Sequence, residues 1–145
     1  RVEVIVLVAA SIALGRALVE TGAAQWLGAL FALALEGFPP AAALATLMIF
    51  TTVLTNFVSN APAAAVATPI AISMAGALGS AAEPFVLAVL FGCNLCYVTP
   101  MAYQTNLLIM SAARYRFADF VRAGLPLAIL MIIVLAYLLV RRYSL

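Results

Sequence analysis

Two short polar stretches interrupt long apolar runs in this chain, and they are the residues whose types and spacing could do chemistry. The first is Thr55-Asn56-Phe57-Val58-Ser59-Asn60, followed by Ala61 and Pro62. The second is Val98-Thr99-Pro100, with a further polar patch at Gln104-Thr105-Asn106. Both follow one grammar: hydroxyl and amide side chains, then proline. Neutral carbonyl, hydroxyl and amide oxygens suit a hard cation, and without nearby carboxylates a monovalent ion such as sodium is favoured over calcium or magnesium. Carbonyls freed where a helix breaks can hold that cation, while the helix N-termini at Asn60–Pro62 and Thr99–Pro100 can face an anion. Such side chains can also do no more than bond a neighbouring helix, for about 0.6 kcal/mol on average. The repetition of the pattern favours a site.

Other chemistries lack their residues. There is no histidine, and Cys93 and Cys96 form a lone CxxC, too few ligands for a zinc centre. The pair reads as two small buried residues on a membrane helix. Neither GxSxG nor HExxH occurs, so no enzyme is expected. All seven basic residues are arginines, spread along the chain with a net charge of +2, which leaves no basic face for nucleic acid.

The solvent follows from composition. Of 145 residues, 68% are hydrophobic and 8% are charged, far below the roughly 25% charged of a soluble domain. The expected class is an all-α polytopic membrane protein, in which one apolar run folds back, as either two full spans or one re-entrant helical hairpin, and another is one broken transmembrane helix.

The elements that must carry the two stretches are set by the bilayer. No formal charge lies between residues 37 and 82. As one helix that run would be about 69 Å long, twice the ~30 Å hydrocarbon core, so it must turn back. The expected arms are 40–54 and 62–78, around a polar break at 55–60. The next uncharged run, 84–113, is interrupted at Val98-Thr99-Pro100. A spanning helix is expected from near Phe117 to Arg141, and another over Val2 to Val19. Residues 23–35 are short for crossing and read as an interfacial helix anchored by Trp26. The chain is thus read as residues 1–36, a transmembrane helix plus an interfacial helix, and residues 37–145, the hairpin, the broken helix and the final transmembrane helix. Ser80 to Glu83 has capping-box spacing. Ser59 or Asn60, and Thr99, are expected N-caps, and Pro39-Pro40 a helix start. Three arginines in the 111–122 region against two in the tail favour a cytoplasmic 111–122 loop. The opening Arg1-Val2 is not a signal peptide and reads as the C-terminal part of a longer protein.

The stretch LTNFVSNAPAAAVATPIAISMA resembles the second "SNT" hairpin of the divalent anion:sodium symporter family, the sodium/sulfate and sodium/dicarboxylate cotransporters. The stretch YVTPMAYQTNLLIMSAARYRFADFVRAGLPL resembles the signature of the family's bacterial permease branch within the ion transporter superfamily. The resemblance implies a secondary transporter in the cell's inner or plasma membrane, built from two inverted repeats and usually homodimeric. This chain would be most of the second repeat, with an N-terminal repeat as partner. Its hairpin would open outward with Ser59-Asn60-Ala61 at the tip, and residues 23–35 would be the lateral arm. Carried over by position, sodium, the coupling ion, would be held by Thr55, the Val58 backbone, Asn60 and the Val98 backbone. The anion, sulfate or a dicarboxylate, would touch Ser59, Asn60, Thr99 and Pro100. No other cofactor is implied. Two departures stand out: Ala61 replaces the motif's usual threonine, and MSAARYRF replaces a glycine-rich GPGGYRF.

Two alternatives remain at this level. A proton- or ion-antiporter or metalloid efflux permease of the same superfamily would need a membrane-embedded carboxylate, and residues 37–82 and 84–113 contain none. A non-transporting membrane scaffold would use the polar residues for packing alone.

Overall fold

The computed structural model describes residues 1–145, and every regular element in it is helical. Seven α-helices follow in chain order: α1 Val2–Glu20, α2 Ala23–Ala34, α3 Pro40–Phe57, α4 Asn60–Ala77, α5 Ala82–Asn94, α6 Gln104–Ala112 and α7 Phe117–Tyr143, with a 3-10 turn at Pro100–Ala102. Helices α1, α3 and α7 are long and apolar enough to cross a membrane. With the composition, this makes the chain an all-α, multi-pass membrane protein. Apolar side chains crowd its outside: Ile5, Ile12, Leu130, Ile133 and Tyr137 are all exposed, as expected where lipid rather than water is the solvent.

The hairpin breaks later and more tightly than expected. Thr55 and Asn56 remain helical in α3, and only Val58 and Ser59 are extended, with ψ of 166° and 165°. Pro62 contributes but is not sufficient alone, since Pro69 and Pro126 stay inside α4 and α7. A helix running through this point would drive the Pro62 ring into the carbonyl of Val58, four residues back, while Thr55 and Asn56 precede that clash. Polar side chains here do not break the helix; they find partners from within it.

The second break is wider than expected. It covers Leu95–Thr99, then the 3-10 turn, then extended Tyr103 before α6. Cys93 sits buried on the last turn of α5, but Cys96 lies in the unwound stretch and not on a helix; both are free thiols.

Three caps differ from expectation. Ala81, not Ser80, precedes α5, with no side-chain cap. Ser80 is committed to closing α4: its N–H donates to Ala75 O at 2.9 Å and that of Gly79 to Gly76 O at 3.2 Å, with Gly79 at φ +67°. These two bonds form a Schellman motif. Ser59 and Thr99 occupy N-cap positions, yet neither side chain caps.

The core lies where α5 packs across both arms of the hairpin. Leu44, Leu47, Met48, Met74, Phe85 and Val89 are buried there. Small residues bring the helices close. A Cβ on Gly92 of α5 would come within 2.9 Å of Thr51 Cβ, and one on Gly28 of α2 within 2.7 Å of Ser73. Helix α2 lays Ala24, Gly28 and Ala32 against α4 and leaves Trp26 exposed. Helix α7 packs on α3 and α5, while α6 buries no residue.

Candidate functional site

The C-terminal turn of α3 is stitched to the unwound end of α5, which places the two breaks against each other. Asn56 is the centre of the seam. Its Nδ2 donates to Leu95 O at 3.1 Å and to Thr52 O, one turn back, at 2.7 Å. Its Oδ1 accepts the Thr99 N–H at 3.0 Å, and its backbone carbonyl accepts the Thr99 hydroxyl at 2.7 Å. Thr52 donates to Gly92 O at 3.4 Å. From the other side, Asn106 of α6 donates to Cys96 O at 2.8 Å and to Thr99 O at 3.3 Å. Asn56 and Thr99 are both buried, so each unmade bond would leave a desolvated group costing about 1–3 kcal/mol.

Among the predicted residues, Thr55 and Asn60 meet directly. Thr55 Oγ1 lies 2.8 Å from Asn60 Oδ1 and 3.1 Å from Cys93 O. The hydroxyl carries one proton, so it serves one acceptor at a time and keeps lone pairs free. Thr55 is buried, Asn60 half-buried and Ser59 exposed, with no hydrogen bond from the serine side chain. Thr99 and Pro100 are buried, Val98 is half-buried and Val58 is exposed. The Thr55–Asn60 and Asn56–Thr99 contacts start from adjacent residues of α3, so the hairpin tip and the second break share one locality. The Thr99 hydroxyl donates to Asn56 O, so an anion at the Thr99-Pro100 turn would not meet it as a free donor.

The backbone carbonyls of the unwound stretch can be accounted for one by one. Leu95 O is taken by Asn56, and Cys96 O and Thr99 O by Asn106. Tyr97 O is covered by α7, where a Cβ on Gly124 would stand 2.3 Å from it. Val98 O receives no donor from the chain, and on the hairpin side neither does Val58 O. No formal charge lies in either break.

A half-open cavity of about 330 Å³ with an apolar lining adjoins the seam, bordered by Thr52, Asn56, Val98 and Thr99 and by Leu125 and Ile129 of α7. A larger one, about 580 Å³, lies between Tyr97 and the start of α7 and touches no predicted site residue. Of the residues that build the seam, the sequence reading passed over Asn56, Asn106 and Gly124 as site residues. The two asparagines stand inside the polar stretches it singled out, whereas nothing local marks Gly124.

Over residues 1–144 the chain matches the family described as citrate transporter. The chain belongs to that family. Its relatives bear out the resemblance to divalent anion:sodium symporters. It is 30% identical to sodium/sulfate cotransporter 1 of Chlamydomonas reinhardtii over 97% of this chain and 16% of that protein. It is 28% identical to solute carrier family 13 member 2 of Oryctolagus cuniculus, over 92% of this chain and 22% of that protein. An uncharacterized transporter of Synechocystis sp. is 33% identical over 90% of this chain and 21% of its own length. The chain thus spans about a fifth of the length of these relatives. The family is one of transporters, and the chain is a segment of one of its members.

Proposed function

We propose that this member of the citrate transporter family contributes one side of a sodium-coupled site for a small, multiply charged oxyanion, sulfate or a dicarboxylate. The single observation carrying this reading is the accounting of carbonyls at the seam. The two backbone oxygens that the resemblance assigns to sodium, Val58 and Val98, are left without donors, while Leu95, Cys96 and Thr99 are occupied and Tyr97 O, also without a donor, is covered by Gly124 of α7. Thr55 and Asn60, the two assigned side chains, are in contact. Sodium would be held by Thr55 Oγ1, Val58 O, the Asn60 carboxamide and Val98 O. The anion would lie beside it against Ser59, the start of α4 at Asn60, and the turn at Thr99-Pro100. Because the Thr99 hydroxyl is committed to Asn56, that turn would offer backbone N–H groups beyond Pro100. The start of α4 carries roughly half a positive charge, which stabilises the anion without any formally charged side chain.

Cation and anion would each lessen the other's desolvation cost, which is the physical basis of coupling at such a site. The anion's remaining contacts would come from an N-terminal repeat of the same polypeptide, arranged as an inverted copy, within a homodimer. Solute supply is tested by uptake of labelled sulfate, succinate and citrate into proteoliposomes holding the complete polypeptide. At least one should enter faster under an inward sodium gradient. Uptake unchanged by removing sodium would refute symport, and exclusion of all three would refute the substrate class.

A further inference from the structure

We infer that Asn56, seconded by Asn106, is a positioning residue that holds the Val98 carbonyl at the sodium site; this rests on the sodium reading above. The proposed ligands of the cation divide between two elements. Thr55, Val58 and Asn60 belong to the hairpin, and Val98 belongs to the unwound stretch. Nothing covalent joins them within 37 residues, so their spacing depends on what ties the stretch to α3. Asn56 grips that stretch at two points, Leu95 O and Thr99 N–H, on either side of Val98. Asn106 holds Cys96 O and Thr99 O from α6. The carboxamide is the side chain that can do this, since it donates and accepts from one rigid plane. Aspartate could not donate to Leu95 O, and leucine could do neither.

The effect should fall on sodium more than on the anion. Val98 lies between the two grips, directly before the one at Thr99, so losing them frees its carbonyl to move. Pro100 and Ala102, at the anion's side of the break, are buried and make no hydrogen bond to Asn56, which reaches the turn only through Thr99. Direct coordination of a cation tolerates displacements of only about 0.5 Å.

The experiment is kinetic, with the complete transporter in proteoliposomes. Asn56→Ala should raise the half-saturating sodium concentration about tenfold, as for loss of a buried bonding partner. The anion KM at saturating sodium should stay within about twofold of wild type. Asn106→Ala, and Thr99→Val, which removes the hydroxyl's bonds to Asn56 O and Oδ1 but keeps the Thr99 N–H bond, should shift the sodium constant in the same direction by less. Should Asn56→Ala fail to fold, these two variants carry the test. A parallel rise in both constants, or a fall in kcat with sodium dependence unchanged, overturns the positioning role. Wild-type uptake indifferent to sodium removes the sodium reading itself and this inference with it, and is seen before any variant is made.

Discussion

Asn60 has a place in both proposed sets, the cation's through its contact with Thr55 and the anion's as the first residue of α4. Asn60→Ala should therefore cut uptake at least tenfold and abolish its response to sodium, measured as initial rate against sodium concentration. Residue 61 is the informative neighbour. Alanine there is exposed at the hairpin tip, and it removes a hydroxyl that the resembling motif usually supplies. Ala61→Thr should lower the KM for a dicarboxylate by about fivefold, equivalent to the roughly 1 kcal/mol of one added hydrogen bond. Sulfate, smaller and more compact, should gain less. At this scale the hydroxyls and amides advertise themselves, because they are rare in apolar runs. What they bond to does not show: Thr99 looks like a cap or an anion contact, and its hydroxyl donates to Asn56 O.

Helices and breaks follow mostly from local covalent facts. Pro40 starts α3, Pro62 disfavours a helix running on through Val58, and uncharged runs too long for one crossing must fold back. Those features were legible. The capping of α5 was not, because Ser80 answers two helices at once and closes α4 rather than opening the next. The close crossing of α7 over the second break was equally hidden. Gly124 permits it, with Tyr97 O where a Cβ would be. Gly124→Ala should push the unwound stretch off α7 and cost about 1–3 kcal/mol, as overpacking does. A thermal unfolding midpoint several degrees lower in detergent, together with a raised sodium requirement, is the expected outcome. An unchanged midpoint would mean that α7 yields easily at this crossing.

Across the whole molecule, the outer surface is the organising fact. Exposed Leu, Ile and Val residues cover α1 and most of α7, and such area is stable only against lipid or another apolar protein surface. The complete polypeptide should stay in the membrane pellet through an alkaline carbonate wash, checked by immunoblot. The only salt bridge, Arg16–Glu20, joins two exposed side chains, so salt should barely move the stability through it. Sodium is a different matter. If it binds the folded site, sodium but not potassium should raise the unfolding midpoint, by mass action on the native state.

The amino-acid sequence alone determined the solvent, the helical class and the two places where helices must fail. Each of these follows from composition or from proline's missing N–H, properties that act within a few residues. Family membership was legible for the same reason, in contiguous motifs around those failures. Tertiary structure alone decided which backbone oxygens are left open. That outcome depends on side chains reaching across the chain, as Asn56 does to Thr99 over 43 positions, and on a glycine in α7 that lets one helix cover another's carbonyl. A carbonyl's availability is set by whatever else competes for it, and competitors distant in sequence are brought together only by folding.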